Sequence, residues 1–300
     1  MIMKEKAFSK QSVRRQLAGE GLKPKKGLGQ NFLTDDSVLL DIVEAAELDD
    51  NSCVLEIGPG MGVLTRELAK RAGKVVAVEI DTTILPILEK NVAEFSNVTI
   101  INQDILKVEL DALLKEHFGD RPVKVIANLP YYITTPIVMK LLEETNSIAS
   151  VVIMIQKEVA ERFSADSGSK DFGAITLAVQ YHAEVSKVRD VSPECFEPVP
   201  KVWSSVIKLS LRGEPPVKVL DEALFFRLIK AAFAQRRKTF LNSVSATMGQ
   251  DVTKEELRDI LVQLGLGESV RGESLSIEQF AQIADEIVQK KSKKDEKKKC

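Results

Sequence analysis

The chain has 300 residues, with 42 Lys and Arg against 44 Asp and Glu, and its formal net charge is −2. Hydrophobic residues at 44% and charged residues at 29% are typical of globular proteins, which excludes global disorder. The length allows one large domain or two ordinary ones, and the near-neutral total predicts no general attraction to nucleic acid or anionic membranes.

Cysteine and histidine are too scarce for several kinds of chemistry. The three cysteines, Cys53, Cys195 and Cys300, are odd in number and widely spaced, which excludes a disulfide framework and a CxxC metal knuckle. The two histidines, His117 and His182, lie far apart in the sequence, so we expect no zinc site and no histidine-based triad. Any catalysis should therefore proceed without imidazole and without a bound metal.

The amino-terminal segment and the hydropathy pattern bear on location. Residues 1–16 are basic but contain no continuous apolar stretch of about 7–15 residues, which predicts that they are not a secretory signal. No run approaches the roughly 18 apolar residues of a membrane span. We expect a soluble, cytoplasmic protein without membrane contact.

Short apolar runs alternate with helical patterns through the first two-thirds of the chain. This alternation predicts an α/β fold with a parallel, doubly wound sheet. Thr135 followed by Pro136 predicts the N-cap and first residue of a helix that runs to about residue 144. Two later runs at 183–189 and 203–211 could complete the sheet as an antiparallel edge. The predicted parallel strands are 53–57, 74–79, 98–102, 123–127 and 150–156.

The pattern changes after the breaker cluster at 212–216, RGEPP, and the rest of the chain reads as helical. Capping-box patterns at 253–256 and 276–279 predict the starts of two of these helices. The domain prediction has four parts, which are a basic N-terminal extension at 1–24, an α/β domain at 25–212, a helical domain at 213–289 and a disordered basic tail at 290–300.

A glycine loop follows the first predicted strand, in the segment VLEIGPGMG at 54–62. Glycines there, Gly58 among them, let the backbone approach a ligand at the carboxyl edge of the sheet, although a tight strand–helix turn without a ligand is the alternative. Glu79 ends the next predicted strand, where an acid can bind ribose hydroxyls, and Asp104 follows the third, where a carboxylate can accept from an adenine amino group.

The identity of the ligand follows from what this loop lacks. Its spacing is GxGxG rather than the GxGxxG of dinucleotide sites, and no GK[ST] follows to hold a triphosphate. Glu56, Glu79 and Asp104 near the site would repel a pyrophosphate and suit a cation. S-adenosylmethionine fits, because it combines adenine and ribose with a positively charged sulfur and carries no phosphate.

The fourth predicted strand leads into Asn128-Leu129-Pro130-Tyr131. The exocyclic amine of adenine is a poor nucleophile, since its lone pair is delocalised into the ring. The side-chain oxygen of Asn128 and a backbone carbonyl in the rigid Leu129–Pro130 turn could accept its two hydrogens and direct the lone pair towards a methyl donor. Tyr131 could stack on an extruded base; a proline-kinked strand end with a packed Tyr is the alternative.

Six sequence blocks together resemble those of the ribosomal RNA adenine dimethyltransferases, in particular the small-subunit type. The resemblance extends over about residues 23–289 and implies a class I (Rossmann-like) methyltransferase domain followed by a small helical domain. It further implies dimethylation of two adjacent adenines in the 3′-terminal hairpin loop of 16S rRNA, late in assembly of the 30S subunit. The blocks are 25–33 (KKGLGQNFL), 56–62 (EIGPGMG), 128–131 (NLPY), 156–162 (QKEVAER), 196–202 (FEPVPKV) and 235–239 (QRRKT).

The same resemblance implies functions for individual residues. The S-adenosylmethionine contacts implied are Asn31, Leu33, Gly58, Glu79, Asp104 and Asn128. Asn128 would also contact the target base and Tyr131 would stack on it. Phe196 resembles a second aromatic residue that closes over the flipped adenine, with a core position in a Pro-rich turn as the alternative.

Two other functions remain open on the sequence. Large-subunit (23S) rRNA methyltransferases of the macrolide-resistance type share this chemistry, and a non-catalytic assembly or transcription factor could share the fold. The basic run Arg236, Arg237 and Lys238 could meet RNA phosphates or form a solvated helix end. Residues 1–34 carry a net charge of +6 and the last eleven residues carry +5, which leaves −13 on the rest of the chain. These basic ends are compatible with an RNA partner. We expect the protein to be a monomer.

Overall fold

The computed structural model describes residues 9–235 and 237–299, with side chains described up to residue 293. It divides into two compact units: the chain up to Ala160 together with Ala183–Leu211, and Glu161–His182 together with the chain from Arg212 onward. Among the described residues, no helix is long and apolar enough to cross a membrane.

A seven-stranded sheet forms the centre of the first unit. Its order is β4-β3-β2-β5-β6-β9-β7, and a separate two-stranded sheet pairs β1 with β8. The five strands β4, β3, β2, β5 and β6 run parallel to one another. Strand β9 runs antiparallel to β6, and β7 runs antiparallel to β9, which confirms the predicted antiparallel edge. The strands are β1 Phe32–Leu33, β2 Cys53–Ile57, β3 Lys74–Glu79, β4 Val98–Asn102, β5 Val123–Asn128, β6 Ile148–Gln156, β7 Ala183–Val191, β8 Phe196–Glu197 and β9 Ser204–Leu211.

Helices flank the sheet and make up most of the second unit. Strand β2 is buried along its whole length, as expected for a central parallel strand covered on both faces. The helices are α1 Lys10–Gly19, α2 Asp36–Ala45, α3 Val63–Ala69, α4 Leu85–Val92, α5 Leu110–Phe118, α6 Thr134–Glu143, α7 Lys157–Phe163, α8 Ala174–His182, α9 Glu222–Phe233, α10 Phe240–Met248, α11 Lys254–Gln263 and α12 Ile277–Lys299.

Helix α1 lies in the segment that the sequence treats only as a basic extension. The Ser9 hydroxyl caps it by accepting from the backbone N–H of Ser12. Val13 and Leu17, four residues apart on one face, are buried with Phe32 and Met61 in one apolar cluster. Burial of two such side chains contributes about 3–6 kcal/mol before conformational entropy is subtracted, so α1 is an integral part of the first unit.

The start of α6 differs from the prediction. The helix begins at Thr134, not after a Thr135 cap, because the preceding residues form a turn in which Ile133 N–H donates to the Pro130 carbonyl at 3.3 Å. Pro136 then occupies the first helical turn. Proline has no backbone N–H, and at this position an N–H would have no carbonyl acceptor within the helix. The turn holds residues 130–133 at the carboxyl edge of the sheet.

The second unit has its own apolar core, which contains Phe225, Phe240 and Phe280. Both predicted capping boxes are present: Thr253 and Glu256 exchange backbone–side-chain bonds at 3.0 and 3.2 Å, and Ser276 and Gln279 do so at 2.9 and 3.4 Å. Two features differ from the predicted boundaries. Residues 161–182 belong to this unit rather than to the α/β domain, and α12 continues to Lys299 through the segment predicted to be a disordered tail.

Candidate active site

A pocket opens at the carboxyl edge of the sheet, within the first unit. The carboxyl ends of β2, β3, β4 and β5 meet at this edge because the four strands run parallel. Every predicted site residue except Phe196 lines the pocket, so the structure brings these residues together. They are Asn31, Leu33, Gly58, Glu79, Asp104, Asn128, Leu129, Pro130 and Tyr131.

The glycine loop approaches the pocket through its backbone. Gly58 has φ = 68°, and a Cβ built there would find no atom within 4 Å, so this position faces open space in the pocket. Gly60, at φ = 57°, donates its N–H to Oε2 of Glu79 at 2.9 Å. Gly58 and Gly60 both adopt a left-handed backbone conformation, which residues other than glycine adopt only with strain.

Glu79 is held in the pocket wall by two backbone groups. Its second oxygen, Oε1, accepts from the N–H of Asp81 at 2.9 Å. Burial raises the pKa of Glu79 above its ordinary value, although the N–H groups of Asp81 and Gly60 oppose the rise. Since a carboxylate has about four acceptor positions, the fixed carboxyl can still accept from a pair of ribose hydroxyls.

Asp104 lies at the end of the neighbouring strand, with its Oδ1 accepting from the N–H of Leu106 at 3.0 Å. Apolar side chains follow both predicted acids: Ile80 comes directly after Glu79, and Ile105 directly after Asp104. This arrangement gives acceptors for polar groups and apolar surface for a flat ring. Sequence reasoning found the two acids and missed the two isoleucines, although each is the next residue in the chain.

Glu56 is the most deeply buried acid of the pocket, at 1% exposure. Burial raises the pKa of Glu56 to about 8, and the nearby carboxylate of Glu79 adds to the rise. Its Oε2 and the Thr65 hydroxyl are both buried without a hydrogen bond to any described residue, although the proximity of Thr65 opposes the rise in the pKa of Glu56. Because a carboxyl with this pKa is mostly protonated at neutral pH, a cationic donor in the pocket would favour its ionised form.

The Asn128 side chain is oriented by a backbone group. Its Nδ2 donates to the carbonyl of Asn31 at 3.1 Å, and because a carbonyl only accepts, this bond fixes which end of the amide is nitrogen. The side-chain oxygen of Asn128 is therefore the end left to accept from a ligand. Asn31 is held in turn by a bond from its own Nδ2 to the carbonyl of Gly29 at 3.1 Å.

The Leu129–Pro130 turn provides a second acceptor. The Pro130 carbonyl already accepts from Ile133 N–H at 3.3 Å and from the Thr134 hydroxyl at 3.1 Å. The Leu129 N–H donates to the Met154 carbonyl at 3.1 Å, which fixes the turn against β6. No described residue donates a hydrogen bond to the Leu129 carbonyl, so this carbonyl remains available to a ligand.

Tyr131 is partly buried in the pocket wall, and its hydroxyl shares a hydrogen bond of 2.6 Å with the Ser204 hydroxyl. Burial raises the pKa of Tyr131, so the phenol stays protonated at neutral pH. The next residue, Tyr132, also lines the pocket and is exposed. The fixed Tyr131 ring provides a rigid flat surface beside Asn128.

Asp81 anchors the segment that precedes Asn31, and no sequence motif predicts this function. Its carboxylate accepts from Lys25 Nζ and from Gln30 Nε2, each at 2.7 Å, and the side chain is almost fully buried. These bonds tie the chain just before Asn31 to the end of β3. Leu33, two residues further on, adds an apolar contact to the pocket.

Phe196 is the predicted site residue that the structure does not bring to the pocket. Its side chain is 1% exposed and packs in the apolar core with Val38, and its backbone pairs with Leu33. This is the core position in a Pro-rich turn that the sequence left open. Arg237 and Lys238 are exposed in the second unit, and Arg236 lies outside the described residues.

The composition of the pocket fits S-adenosylmethionine. Three acidic side chains, Glu56, Glu79 and Asp104, line it, and none of its lining residues is a Lys or an Arg. Such a wall disfavours phosphate and favours a cation. The left-handed Gly58 and the buried Glu56 suit the charged amino acid part of such a ligand, and the apolar residues after Glu79 and Asp104 suit its adenosine part.

The parallel sheet with its antiparallel edge, and the acidic pocket at its carboxyl edge, define a Rossmann-like methyltransferase with a helical carboxyl-terminal region. The family model for ribosomal RNA adenine dimethylases matches residues 21–289. The chain therefore belongs to the ribosomal RNA adenine dimethylase family, as its sequence blocks predict.

Individual relatives agree with this assignment. A ribosomal RNA small subunit methyltransferase A from Alkaliphilus metalliredigens is 51% identical over 262 residues, which cover 87% of this chain and 91% of that protein. The crystal structure of a dimethyladenosine transferase from Plasmodium falciparum has a TM-score of 0.72 at 26% identity, covering 84% of this chain and 95% of that one. The 23S rRNA methyltransferase ErmE has a TM-score of 0.65 at 27% identity, covering 86% and 100%.

Proposed function

We propose that this chain is an S-adenosylmethionine-dependent adenine-N6,N6-dimethyltransferase that acts on small-subunit rRNA. The observation that carries the proposal is the pair of oriented acceptors, the Asn128 side-chain oxygen and the Leu129 carbonyl, beside a phosphate-repelling pocket. Family membership and the small-subunit names of relatives near 50% identity favour 16S over 23S rRNA.

The cofactor contacts are assigned to residues that the pocket brings together. Glu79 accepts from the ribose hydroxyls and Asp104 from the adenine amine, with Ile80 and Ile105 beside the ring. Gly58 allows close backbone approach, and Asn31 and Leu33 close the pocket from the amino-terminal side. The buried Glu56 would ionise when a cation binds beside it and so stabilise the positive charge of the amino acid part. When bound, S-adenosylmethionine supplies a methyl group on a positively charged sulfur.

The catalytic step follows from the geometry around Asn128. Its side-chain oxygen and the Leu129 carbonyl each accept one hydrogen of the target amine, which favours a pyramidal nitrogen with a directed lone pair. Pro130 keeps the turn rigid, and Tyr131 stacks on the extruded adenine with its hydroxyl fixed by Ser204. The nitrogen would form its bond to the methyl carbon as the carbon–sulfur bond breaks, with the bonding pair left on the sulfur of S-adenosylhomocysteine. The cationic nitrogen would then lose a proton to water.

This step needs no strong base, since the amine becomes acidic once it has gained the methyl group. Neither histidine lines the pocket: His117 lies on α5, and His182 ends α8 in the second unit. After one transfer the amine keeps a single hydrogen, which one of the two acceptors can still hold. The same site is therefore able to carry out a second methylation.

The substrate and setting are also part of the proposal. The target is a pair of adjacent adenines in the 3′-terminal hairpin loop of 16S rRNA, presented by an immature 30S subunit in the cytoplasm. We propose that the enzyme works as a monomer. Basic residues at both ends of the sequence, and the separate run Arg236, Arg237 and Lys238, would contribute phosphate contacts.

A labelling experiment tests this proposal directly. The full-length protein is incubated with labelled S-adenosylmethionine and, in separate reactions, undermethylated 30S subunits or protein-free 23S rRNA. We expect label on 16S rRNA only. Label on 23S rRNA alone would indicate the macrolide-resistance type, and absence of label on both RNAs would contradict catalysis and favour a binding factor.

A further inference from the structure

Trp203, the single tryptophan of the chain, lies at the edge of the sheet where the pocket opens. Strand β6 ends at Gln156 and β9 begins at Ser204, and these two residues are paired in register. Lys157 and Trp203 are therefore the first residues beyond the carboxyl end of β6. Trp203 keeps 51% of its surface exposed, which is unusual for so large an apolar side chain.

Lys157 contacts both the backbone and the ring of Trp203. The backbone N–H of Lys157 donates to the Trp203 carbonyl at 3.0 Å, and Nζ of Lys157 lies 6.0 Å from the ring centroid, within cation–π range. Asp190 holds that ammonium in place at 2.8 Å and also accepts from the Ser205 hydroxyl at 2.7 Å. The bonds from Lys157 and Ser205 lower the pKa of Asp190 to about 2, so the ion pair persists at neutral pH.

Trp203 is also connected to the reaction site. Its chain neighbour Ser204 forms the 2.6 Å hydrogen bond to the Tyr131 hydroxyl. The exposed Trp203 is therefore next in the chain to the residue that fixes the Tyr131 ring, which we propose to stack on the target adenine. Trp203 is therefore placed to contact a nucleotide next to a base that stacks on Tyr131.

The chemistry around Trp203 matches a nucleotide. The ring offers a flat apolar surface, and Lys201, two residues earlier, is exposed and forms no ion pair with any residue that the structure describes. Single-stranded RNA is bound in this way, by bases stacked on aromatic side chains and by cations near the phosphates. The acid beside Lys157, Asp190, is already paired with its ammonium.

We propose that Trp203 stacks on a nucleobase adjacent to the target adenine, with Lys201 near its phosphate, and so positions the rRNA strand. The proposal rests on the function proposed above and adds a substrate-positioning residue outside the cofactor pocket. Base–aromatic stacking is worth about 1–3 kcal/mol per base, which corresponds to about a 5- to 150-fold change in affinity.

Because the chain has one tryptophan, its fluorescence reports on this residue alone. The full-length protein, saturated with S-adenosylhomocysteine, is titrated with a hairpin RNA that carries the 16S 3′-terminal loop. We expect saturable quenching that is lost when the nucleotides flanking the target adenines are made abasic. Heparin, a polyanion without bases, serves as the control and should leave the fluorescence nearly unchanged.

Substitution gives the second readout. Trp203→Ala should raise the KM for RNA about 5- to 150-fold with a smaller change in kcat and no change in the KM for S-adenosylmethionine, and Trp203→Phe should recover most of the loss. Leu40→Ala, at an exposed apolar residue on α2, is the matched control and should leave the KM for RNA unchanged.

The outcomes separate this inference from the proposed function. If the wild-type protein methylates 16S rRNA but RNA does not quench its fluorescence, or Trp203→Ala keeps the wild-type KM, the stacking proposal is wrong and the function stands. If the wild-type protein transfers no methyl group to 16S rRNA, the proposed function itself fails. The fluorescence titration needs no variant, so it decides the question even if Trp203→Ala does not fold.

Discussion

Replacement of Glu56 by Gln should make the protein more stable, and increasingly so as the pH rises. Glu56 has 1% exposure and a pKa of about 8 in the folded chain, against an ordinary value of 4.5. The folded state therefore holds this proton more tightly than the unfolded state does. Its contribution to stability is greatest below about pH 4.5 and is lost as the pH rises to about 8.

The size of the effect follows from that interval. In the interval the folded chain holds one more proton than the unfolded chain, so the free energy of unfolding falls by about 1.4 kcal/mol per pH unit. Between pH 5.5 and pH 8 this amounts to roughly 3 kcal/mol. Gln keeps the shape and does not titrate, so the advantage of Glu56→Gln over the wild type should grow by about this amount.

Urea unfolding of both full-length proteins, without cofactor, at several pH values measures this difference. The other titrating groups are common to both proteins and cancel in the comparison. Glu116→Gln, at an exposed position on α5, is the control and should differ from the wild type by a nearly constant amount. A Glu56→Gln advantage that is also constant from pH 5.5 to pH 8 would show that Glu56 is ionised in the empty pocket, and the reasoning from burial would fail.

Two further substitutions test the reaction site and the segment that supports it. Asn128→Ala removes one of the two amine acceptors and should lower kcat about 100- to 1,000-fold, whereas RNA affinity measured by filter binding should stay near wild type. Asn146→Ala, at an exposed bend, is the control. Near-normal turnover of Asn128→Ala would refute the assignment. Asp81→Asn removes the charge that pairs with Lys25 and should raise the KM for S-adenosylmethionine about tenfold with little change in the KM for RNA, as measured by steady-state kinetics. An unchanged KM for S-adenosylmethionine would mean that this anchor does not position Asn31.

The sequence predicted much of the sheet and of the pocket, for a local reason. Buried parallel strands are short apolar runs of sequence. For β2, β3 and β4 the predicted bounds are the same as the observed ones. An acid at or just after the end of such a run must lie at the carboxyl edge, so the sequence alone predicts that Glu79 and Asp104 lie near Asn128.

The features that the sequence did not predict depend on contacts between distant segments. Helix α1 is short and mostly polar, and only its packing around Phe32 and Met61 makes it part of the core. Residues 161–182 have a helical pattern that is compatible with either unit, and their tertiary contacts assign them to the second. Phe196 has the same sequence signature as a pocket residue or a core residue, and its pairing with β1 buries it. The bonds of Asp81 join residues 51 and 56 positions apart.

The most direct measurement is the chemical identity and position of the product. Undermethylated 30S subunits are incubated with the protein and S-adenosylmethionine, the 16S rRNA is digested, and its fragments are sequenced by mass spectrometry. We predict N6,N6-dimethyladenosine at two adjacent positions of the 3′-terminal hairpin loop, and about 100- to 1,000-fold slower formation with Asn128→Ala. Methyl groups on another base, on another atom of adenine or on 23S rRNA instead would contradict the proposed function.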